Sequence, residues 1–171
     1  VKNRDKYRIR IYNFSDKVIR MECKTKVGQL ISKRSIGIPR LLAEQLIAGD
    51  PTGLERTRSG LLRDVYRGMS INGLKPVVIV DYVREAYVHP AEEVRITFDK
   101  QLRAGWSEAS MRRIMTDDLP VFPTSEFPYP DAVILEIKYD EYIPKFITHA
   151  LQTGGTLLAA SKYVLCRDAL H

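Results

Sequence analysis

Charged residues recur at every second position along several segments of this chain, and arginine is prominent among them. The arginines that stand out in this way are Arg8, Arg10, Arg84 and Arg95. A guanidinium group donates hydrogen bonds in a planar fork that fits a phosphate group in a bidentate manner. The repeated arginines therefore indicate a site for a phosphate-rich ligand.

Two single carboxylates accompany these cations. Glu22 lies two residues before Lys24, and Glu136 lies two residues before Lys138. A divalent cation prefers oxygen ligands, and polyphosphate needs lysine and arginine beside that cation. The combination is typical of a site for a metal ion and a phosphate chain. For Glu22 we favour an ion pair with an arginine of a neighbouring strand, and a second metal ligand is the alternative.

The elements that must position these residues are strands in which apolar and charged residues alternate. Successive side chains of a strand point to opposite faces, so each segment gathers its charges on one surface. Turn-forming residues join the first two strands at 13–16 and two later strands at 89–92. Residues 100–131 are rich in proline and predict a connecting loop with a strand or helix fragment near 101–113. The predicted strands cover residues 6–14, 17–27, 29–36, 76–82, 93–99, 132–139 and 162–167.

Three amphipathic helices are predicted over 39–48, 57–69 and 141–151, the first opened by Pro39. Such helices need an apolar surface to cover, and the apolar residues that alternate along the strands form one apolar face of the sheet. The opposite face, which carries the charged side chains, then points either to solvent, as in an open antiparallel sheet, or into the polar cavity of a closed barrel. Periodicity leaves both outcomes open, and the recurring arginines favour the cavity. The expected fold class is therefore α+β, with an antiparallel β-barrel and flanking helices.

Composition sets further bounds. The chain has 171 residues, 44% of them hydrophobic, which predicts a single domain over residues 1–171 with its own core. The net charge of +6 indicates an anionic ligand. Cys23 and Cys166 are far apart in sequence and predict reduced, buried side chains of a cytoplasmic protein. The sequence contains neither an apolar run of membrane-spanning length nor a signal peptide.

Several ordered segments resemble the VTC domain, the catalytic domain of the vacuolar transporter chaperone polyphosphate polymerase and its bacterial relatives. One segment of this kind is weak evidence, whereas the ordered set spans nearly the whole chain and is specific. The resemblance implies a triphosphate tunnel fold, an eight-stranded antiparallel barrel lined with basic residues. It also implies transfer of the γ-phosphoryl group of ATP to inorganic polyphosphate, with Mn²⁺ or Mg²⁺ as the metal. The segments are 6–12, 22–26, 32–35, 80–87, 94–99, 135–139 and 161–163.

The same resemblance implies roles for particular residues. Glu136 resembles the metal-binding glutamate of the family, and Lys138 lies beside it on the same strand face. Ser161 and Lys162 resemble the phosphate contact of the last strand of the tunnel. The implied catalytic residues are Arg8, Arg10, Lys24, Arg84, Arg95 and Glu136, and the implied substrate-binding residues are Lys33, Tyr82, Lys138, Ser161 and Lys162. We interpret Asp81 and Asp99 as mainly structural.

The chain also departs from the family pattern. Family members normally open with further strands, whereas here Val1 leads almost directly into a predicted strand, so we expect a tunnel domain without its first strands. Some members carry a lysine where this chain has Ala159, which removes one expected phosphate contact.

Two other functions remain as alternatives. The first is a metal-dependent triphosphatase of the same fold, although the chain lacks the Glu-x-Glu-x-Lys run that many of them carry. The second is a non-catalytic module that binds polyphosphate or inositol phosphates. Nucleic acid is not an expected partner, because few aromatic residues lie on the charged parity.

Overall fold

The computed structural model describes residues 4–89, 94–105, 125–126, 132–150 and 161–170. These residues form a mixed α+β structure, as predicted, with seven strands and four α-helices within the described ranges. The chain divides into two compact units. The first contains three strands and two α-helices, and the second contains four strands and two α-helices.

The sheet of the first unit is an antiparallel arrangement of three strands with β2 in the centre. The strands are β1 (Arg4–Tyr12), β2 (Ser15–Val27) and β3 (Leu30–Gly37). Asn13 and Phe14 link β1 to β2, and both have positive φ angles, 51° and 53°. Two successive residues of this kind match the right-handed twist of a hairpin. The predicted first hairpin and third strand are confirmed.

Two helices cover the apolar face of this sheet. They are α1 (Arg40–Ile47), which follows Pro39, and α2 (Gly60–Ile71), and a short 3₁₀ turn, Thr52–Leu54, lies between them. Both predicted helices are confirmed with shifted boundaries. Cys23 is buried as a free thiol in the core that they form with the sheet. The fully enclosed members of this core include Ile19, Met21, Cys23, Ala43, Leu46, Leu54 and Val65.

The sheet of the second unit is built around one long strand. Strand β5 (Val94–Gly105) pairs in antiparallel fashion with β4 (Ile79–His89), β6 (Ser125–Glu126) and β7 (Ile134–Lys138). The predicted second hairpin is confirmed. Strand β5, however, continues six residues beyond the predicted end at residue 99, into a segment predicted to be mainly loop.

One extra residue interrupts the pairing of β4 with β5. Asp81 lies opposite Arg103, but Val83 lies opposite Lys100, so β5 carries one more residue than β4 between these pairs. Gln101 lies in this interval and has a φ angle of +50°, which marks a β-bulge. A bulge of this kind shifts the alternation of side chains by one position along the rest of the strand.

This shift decides which residues share a face of β5. Asp99 has odd parity, whereas Leu102 and Ala104 have even parity, so strict alternation would place them on opposite faces. With the bulge between them, all three side chains lie on one face, and all three are buried. The face is therefore polar at one end of the strand and apolar at the other.

Helix α4 (Lys162–Asp168) packs on the apolar end of that face. The prediction of a strand over 162–167 is therefore wrong. Ser161 caps the helix by accepting a hydrogen bond from the amide of Val164 at 3.3 Å. Leu165 and the buried Cys166 pack in the cluster that contains Leu102 and Ala104, and this tertiary packing outweighs the β-propensity of the segment.

The other predictions of architecture are met in part. The predicted helix over 141–151 is observed as the shorter helix α3 (Lys145–Ala150). Within the described residues the strands pair as two separate antiparallel sheets, so a closed barrel is not observed there and its closure stays a prediction. Residues 106–124 and Ala159 lie outside the described residues. Among the described helices, none has the length and apolar character needed to span a membrane.

Candidate functional site

Three lysines lie side by side on the charged face of the first sheet. The strand register places Lys6 opposite Lys24, and Lys24 opposite Lys33. Residues in such positions have Cβ atoms about 5 Å apart, so three positive charges lie close together on one surface, which favours an anionic ligand. The predicted residues Lys24 and Lys33 are thus brought together. Lys6, which was not among the predicted site residues, shares their row.

The predicted arginine pair lies in the neighbouring rows and shares one carboxylate. Arg8 contacts Glu22 at 2.5 Å between Nε and Oε2, and Arg10 approaches Oε1 at 3.7 Å through Nη1. The interpretation of Glu22 as an ion-pair partner of a neighbouring strand is confirmed. Arg20, opposite Arg10 in the register, donates to the hydroxyl of Ser35 at 2.8 Å. We refer to these residues together with the lysine row as the β1–β3 cationic face.

In the second unit, two cations meet at the carboxylate of Asp99. Arg84 donates from Nε to Oδ1 at 2.6 Å and from Nη2 to Oδ2 at 2.7 Å. Lys162, from helix α4, places its Nζ 2.5 Å from the same Oδ2. Asp99 itself has 0% exposed surface. We call Asp99, its two cations and the residues around them the Asp99 cluster: Tyr82, Arg84, Asp99, Glu136, Lys138 and Lys162.

Tyr82 provides the aromatic surface of the Asp99 cluster. The guanidinium carbon of Arg84 and the ammonium nitrogen of Lys162 each lie 5.2 Å from the centroid of its ring. Cations at this distance are attracted by the negative face of the ring. Tyr82 therefore supports both cations, and the direct phosphate contact implied by the family resemblance stays a prediction.

Glu136 lies at the edge of the Asp99 cluster. Its carboxylate is 3.2 Å from Nζ of Lys138 and 3.7 Å from Nη2 of Arg84, and its side chain is 40% exposed. Within the described part of the chain, no group of three or more carboxylate, histidine or cysteine side chains could hold a metal ion. A partly exposed carboxylate could serve as one ligand of a divalent cation, and this role of Glu136 stays a prediction.

Arg95 keeps its predicted place in a strand, and its role in phosphate binding stays a prediction, whereas Ser161 lies at the start of a helix. Arg95 is exposed and lies opposite Lys138 in the register of β5 and β7. Ser161 caps helix α4 and so does not belong to a strand of a tunnel wall. The requirement for a capping hydroxyl accounts for a serine at this position, and its phosphate contact stays a prediction.

The charges of the Asp99 cluster stabilise one another. Burial raises the pKa of Asp99, but the hydrogen bonds from Arg84 and Lys162 outweigh burial, and the pKa lies below its ordinary value. Burial likewise raises the pKa of Glu136, and the nearby Lys138 brings the net shift downward. The hydrogen bond to Asp99 raises the pKa of Arg84. Asp99, Glu136 and Arg84 are therefore all charged at neutral pH.

This electrostatic balance predicts a loss of stability in acid. An aspartate in an unfolded chain has a pKa of about 3.9, and that of folded Asp99 is lower. The unfolded chain therefore binds the proton first, and the stabilisation falls as the pH drops from about 4 through the folded pKa. We expect the free energy of unfolding, measured with urea at pH 7, 5 and 3.5, to decrease toward pH 3.5. The decrease should be smaller in Asp99→Asn, and an equal decrease in both proteins would contradict the assignment.

The sequence predicts the face on which Asp99 lies but not the residues that it contacts. Its location on the parity of Arg95 was evident, and a structural role was predicted, but not its contact with Arg84 and Lys162. Lys6 could have been found, because it shares the parity of Arg8 and Arg10. The contact of Lys162 with Asp99 could not be predicted from the sequence, because it depends on the position of helix α4.

A family model for the VTC domain matches residues 1–171, which is the whole chain. No curated protein and no solved structure matches it. The family match agrees with the order of the basic segments along both sheets. On this evidence the chain belongs to the VTC domain family.

Proposed function

We propose that this domain transfers the γ-phosphoryl group of ATP to inorganic polyphosphate. The observation that carries the proposal is the Asp99 cluster, where Arg84 and Lys162 both contact the carboxylate of Asp99 and Arg84 lies 3.7 Å from that of Glu136. Membership of the VTC family supports the same conclusion. The β1–β3 cationic face adds a second set of phosphate-binding side chains.

The composition of the site suits a reaction between phosphates. The acceptor is the terminal oxygen of a phosphate chain, which is already an anion and needs no strong general base. Catalysis then depends on holding donor and acceptor in line and on neutralising the charge of the transferring group. Arginine and lysine side chains provide both functions.

Within the Asp99 cluster, each side chain has a distinct proposed role. Arg84 binds phosphate oxygens through the guanidinium edge that faces away from Asp99, and Lys162 and Lys138 neutralise charge nearby. A divalent cation, Mn²⁺ or Mg²⁺, supplies further neutralisation when bound, and Glu136 would be one of its ligands. On the β1–β3 cationic face, the lysine row is proposed to bind phosphates of a chain.

The proposal is tested by incubating the full chain with ATP, Mn²⁺ and a short polyphosphate primer, and separating the products on a gel stained for long phosphate chains. A ladder of products supports the polymerase. Orthophosphate alone would instead identify a triphosphatase, and unchanged ATP a binding module. Arg67→Gln, which removes an exposed charge from helix α2, serves as the control and should leave the ladder unchanged.

We predict that Glu136→Gln lowers turnover at limiting Mn²⁺ at least about tenfold, because an amide oxygen is a weaker ligand for a hard cation than a carboxylate. Excess Mn²⁺ should restore part of the activity. The measurement is the initial rate of ADP release across a Mn²⁺ titration. Glu141→Gln, which changes an exposed glutamate near helix α3, is the matched control. An unchanged Mn²⁺ dependence in Glu136→Gln would rule out this role.

A further inference from the structure

We propose that Asp99 is a positioning residue that fixes Arg84 and Lys162 in one orientation before a phosphate ligand arrives. This inference rests on the proposed function of the Asp99 cluster in binding phosphates. Asp99 has no exposed surface, so it acts through the two cations and does not touch the ligand itself.

The geometry of Arg84 leaves one edge of its guanidinium available. Two of its five N–H groups, one on Nε and one on Nη2, donate to the two oxygens of Asp99 at 2.6 and 2.7 Å. Three N–H groups then point away from Asp99, and among the described residues only Glu136 approaches them, at 3.7 Å from Nη2. Because the guanidinium is planar and rigid, fixing one edge also fixes the direction of the other. The remaining edge suits a second bidentate acceptor such as phosphate.

The same carboxylate brings in a cation from another part of the chain. Lys162 lies on helix α4, 63 positions after Asp99 in the sequence, and its ammonium group is 2.5 Å from Oδ2. A lysine side chain has four flexible bonds and would otherwise sample many positions. Its side chain is only 19% exposed here, and its ammonium nitrogen lies 5.2 Å from the centroid of the Tyr82 ring. Asp99 thus sets the separation between the two cations.

If Asp99 positions the two cations, its removal should weaken phosphate binding, whereas its negative charge alone predicts the opposite. Removal of its negative charge makes the cluster more positive, and Coulomb attraction alone would then bind a polyphosphate anion more tightly. Loss of the carboxylate also frees the side chains of Arg84 and Lys162 to move. The ligand must then order them when it binds, and this entropy cost weakens binding. If Asp99 positions the cations, the second effect exceeds the first.

The test is the affinity for inorganic triphosphate, measured by calorimetry with the full chain as wild type, Asp99→Asn and Glu85→Gln. Glu85 lies on the same hairpin, pairs with Lys100 at 2.7 Å, and is exposed, so its variant makes the same change of charge away from the cluster. We expect binding about tenfold weaker in Asp99→Asn and within twofold of wild type in Glu85→Gln. Equal or tighter binding in a folded Asp99→Asn would overturn the inference. No binding by the wild type would instead reject the proposed function.

A second measurement uses the unaltered protein and decides the matter even if Asp99→Asn does not fold. The Nε–H group of Arg84, assigned in an NMR spectrum by its loss in Arg84→Lys, should exchange slowly with water in the absence of any ligand. Its signal should also remain at nearly the same position when triphosphate is added, because the contact with Asp99 already exists. Exchange as fast as that of the exposed Arg67 would show that Arg84 is not held, and would overturn the inference.

Discussion

Substitution of Arg84 by lysine should reduce phosphoryl transfer about 100-fold, although the positive charge is retained. Lysine cannot donate to both oxygens of Asp99 and at the same time present a planar edge to a phosphate, as the 2.6 and 2.7 Å hydrogen bonds of Arg84 allow. Misplacement of a positioning group by about 1 Å is enough to cause a loss of this size. The measurement is kcat and KM for polyphosphate synthesis from ATP.

The matched control is Arg103→Lys. Arg103 lies on the neighbouring strand β5 and makes a comparable contact with Asp81, with Nε 2.9 Å from Oδ2. It is not part of the Asp99 cluster, so its conversion to lysine should change kcat less than about threefold. Similar losses in both variants would mean that any disturbance of this sheet abolishes activity, and the special role of Arg84 would be refuted.

The second large effect is expected on the β1–β3 cationic face. The double variant Arg8→Gln, Arg10→Gln should bind inorganic triphosphate about 100-fold more weakly. Each charge-assisted hydrogen bond to a phosphate contributes about 1.5 kcal/mol or more, and a loss of about 3 kcal/mol corresponds to about 100-fold in affinity. The measurement is the dissociation constant for triphosphate. The ionic strength is kept fixed, because the attraction between exposed charges depends on salt.

A control with the same loss of charge is available in the same unit. Arg63 and Arg67 are exposed on helix α2, which covers the opposite, apolar face of the sheet. The double variant Arg63→Gln, Arg67→Gln should weaken triphosphate binding less than about threefold, by the general reduction in net charge. If it weakens binding as much as the double variant of Arg8 and Arg10, then the affinity reflects total charge and not a site on this face.

Alternation along the first sheet could be predicted from the sequence because its strands pair without interruption at the relevant positions. Lys24 lies opposite Lys33, and Arg8 lies opposite Glu22, so these charged residues share one face, as alternation predicts. The hairpin turn was also evident from its turn-forming residues. The charged face of this unit could therefore be predicted from the sequence alone.

The second sheet was less predictable because its register contains a bulge. A bulge depends on how strand β4 pairs with strand β5, and no local pattern around Gln101 indicates it. For the segment of helix α4 the sequence predicts a strand, because Tyr163, Val164 and Leu165 favour extended structure. Ser161 was the one local signal for a helix start, and it was interpreted as a phosphate contact.

The bulge at Gln101 has a consequence for any attempt to re-engineer strand β5. Deletion of this single amino acid would restore strict alternation, and the residues on its two sides could no longer face the same way. Either Leu102 and Ala104 would turn away from helix α4, or Asp99 would turn away from Arg84. A chimera that contains this strand must therefore keep its length. The number of residues, more than the identity of the extra one, keeps the apolar side chains under helix α4 and the carboxylate of Asp99 on the same face.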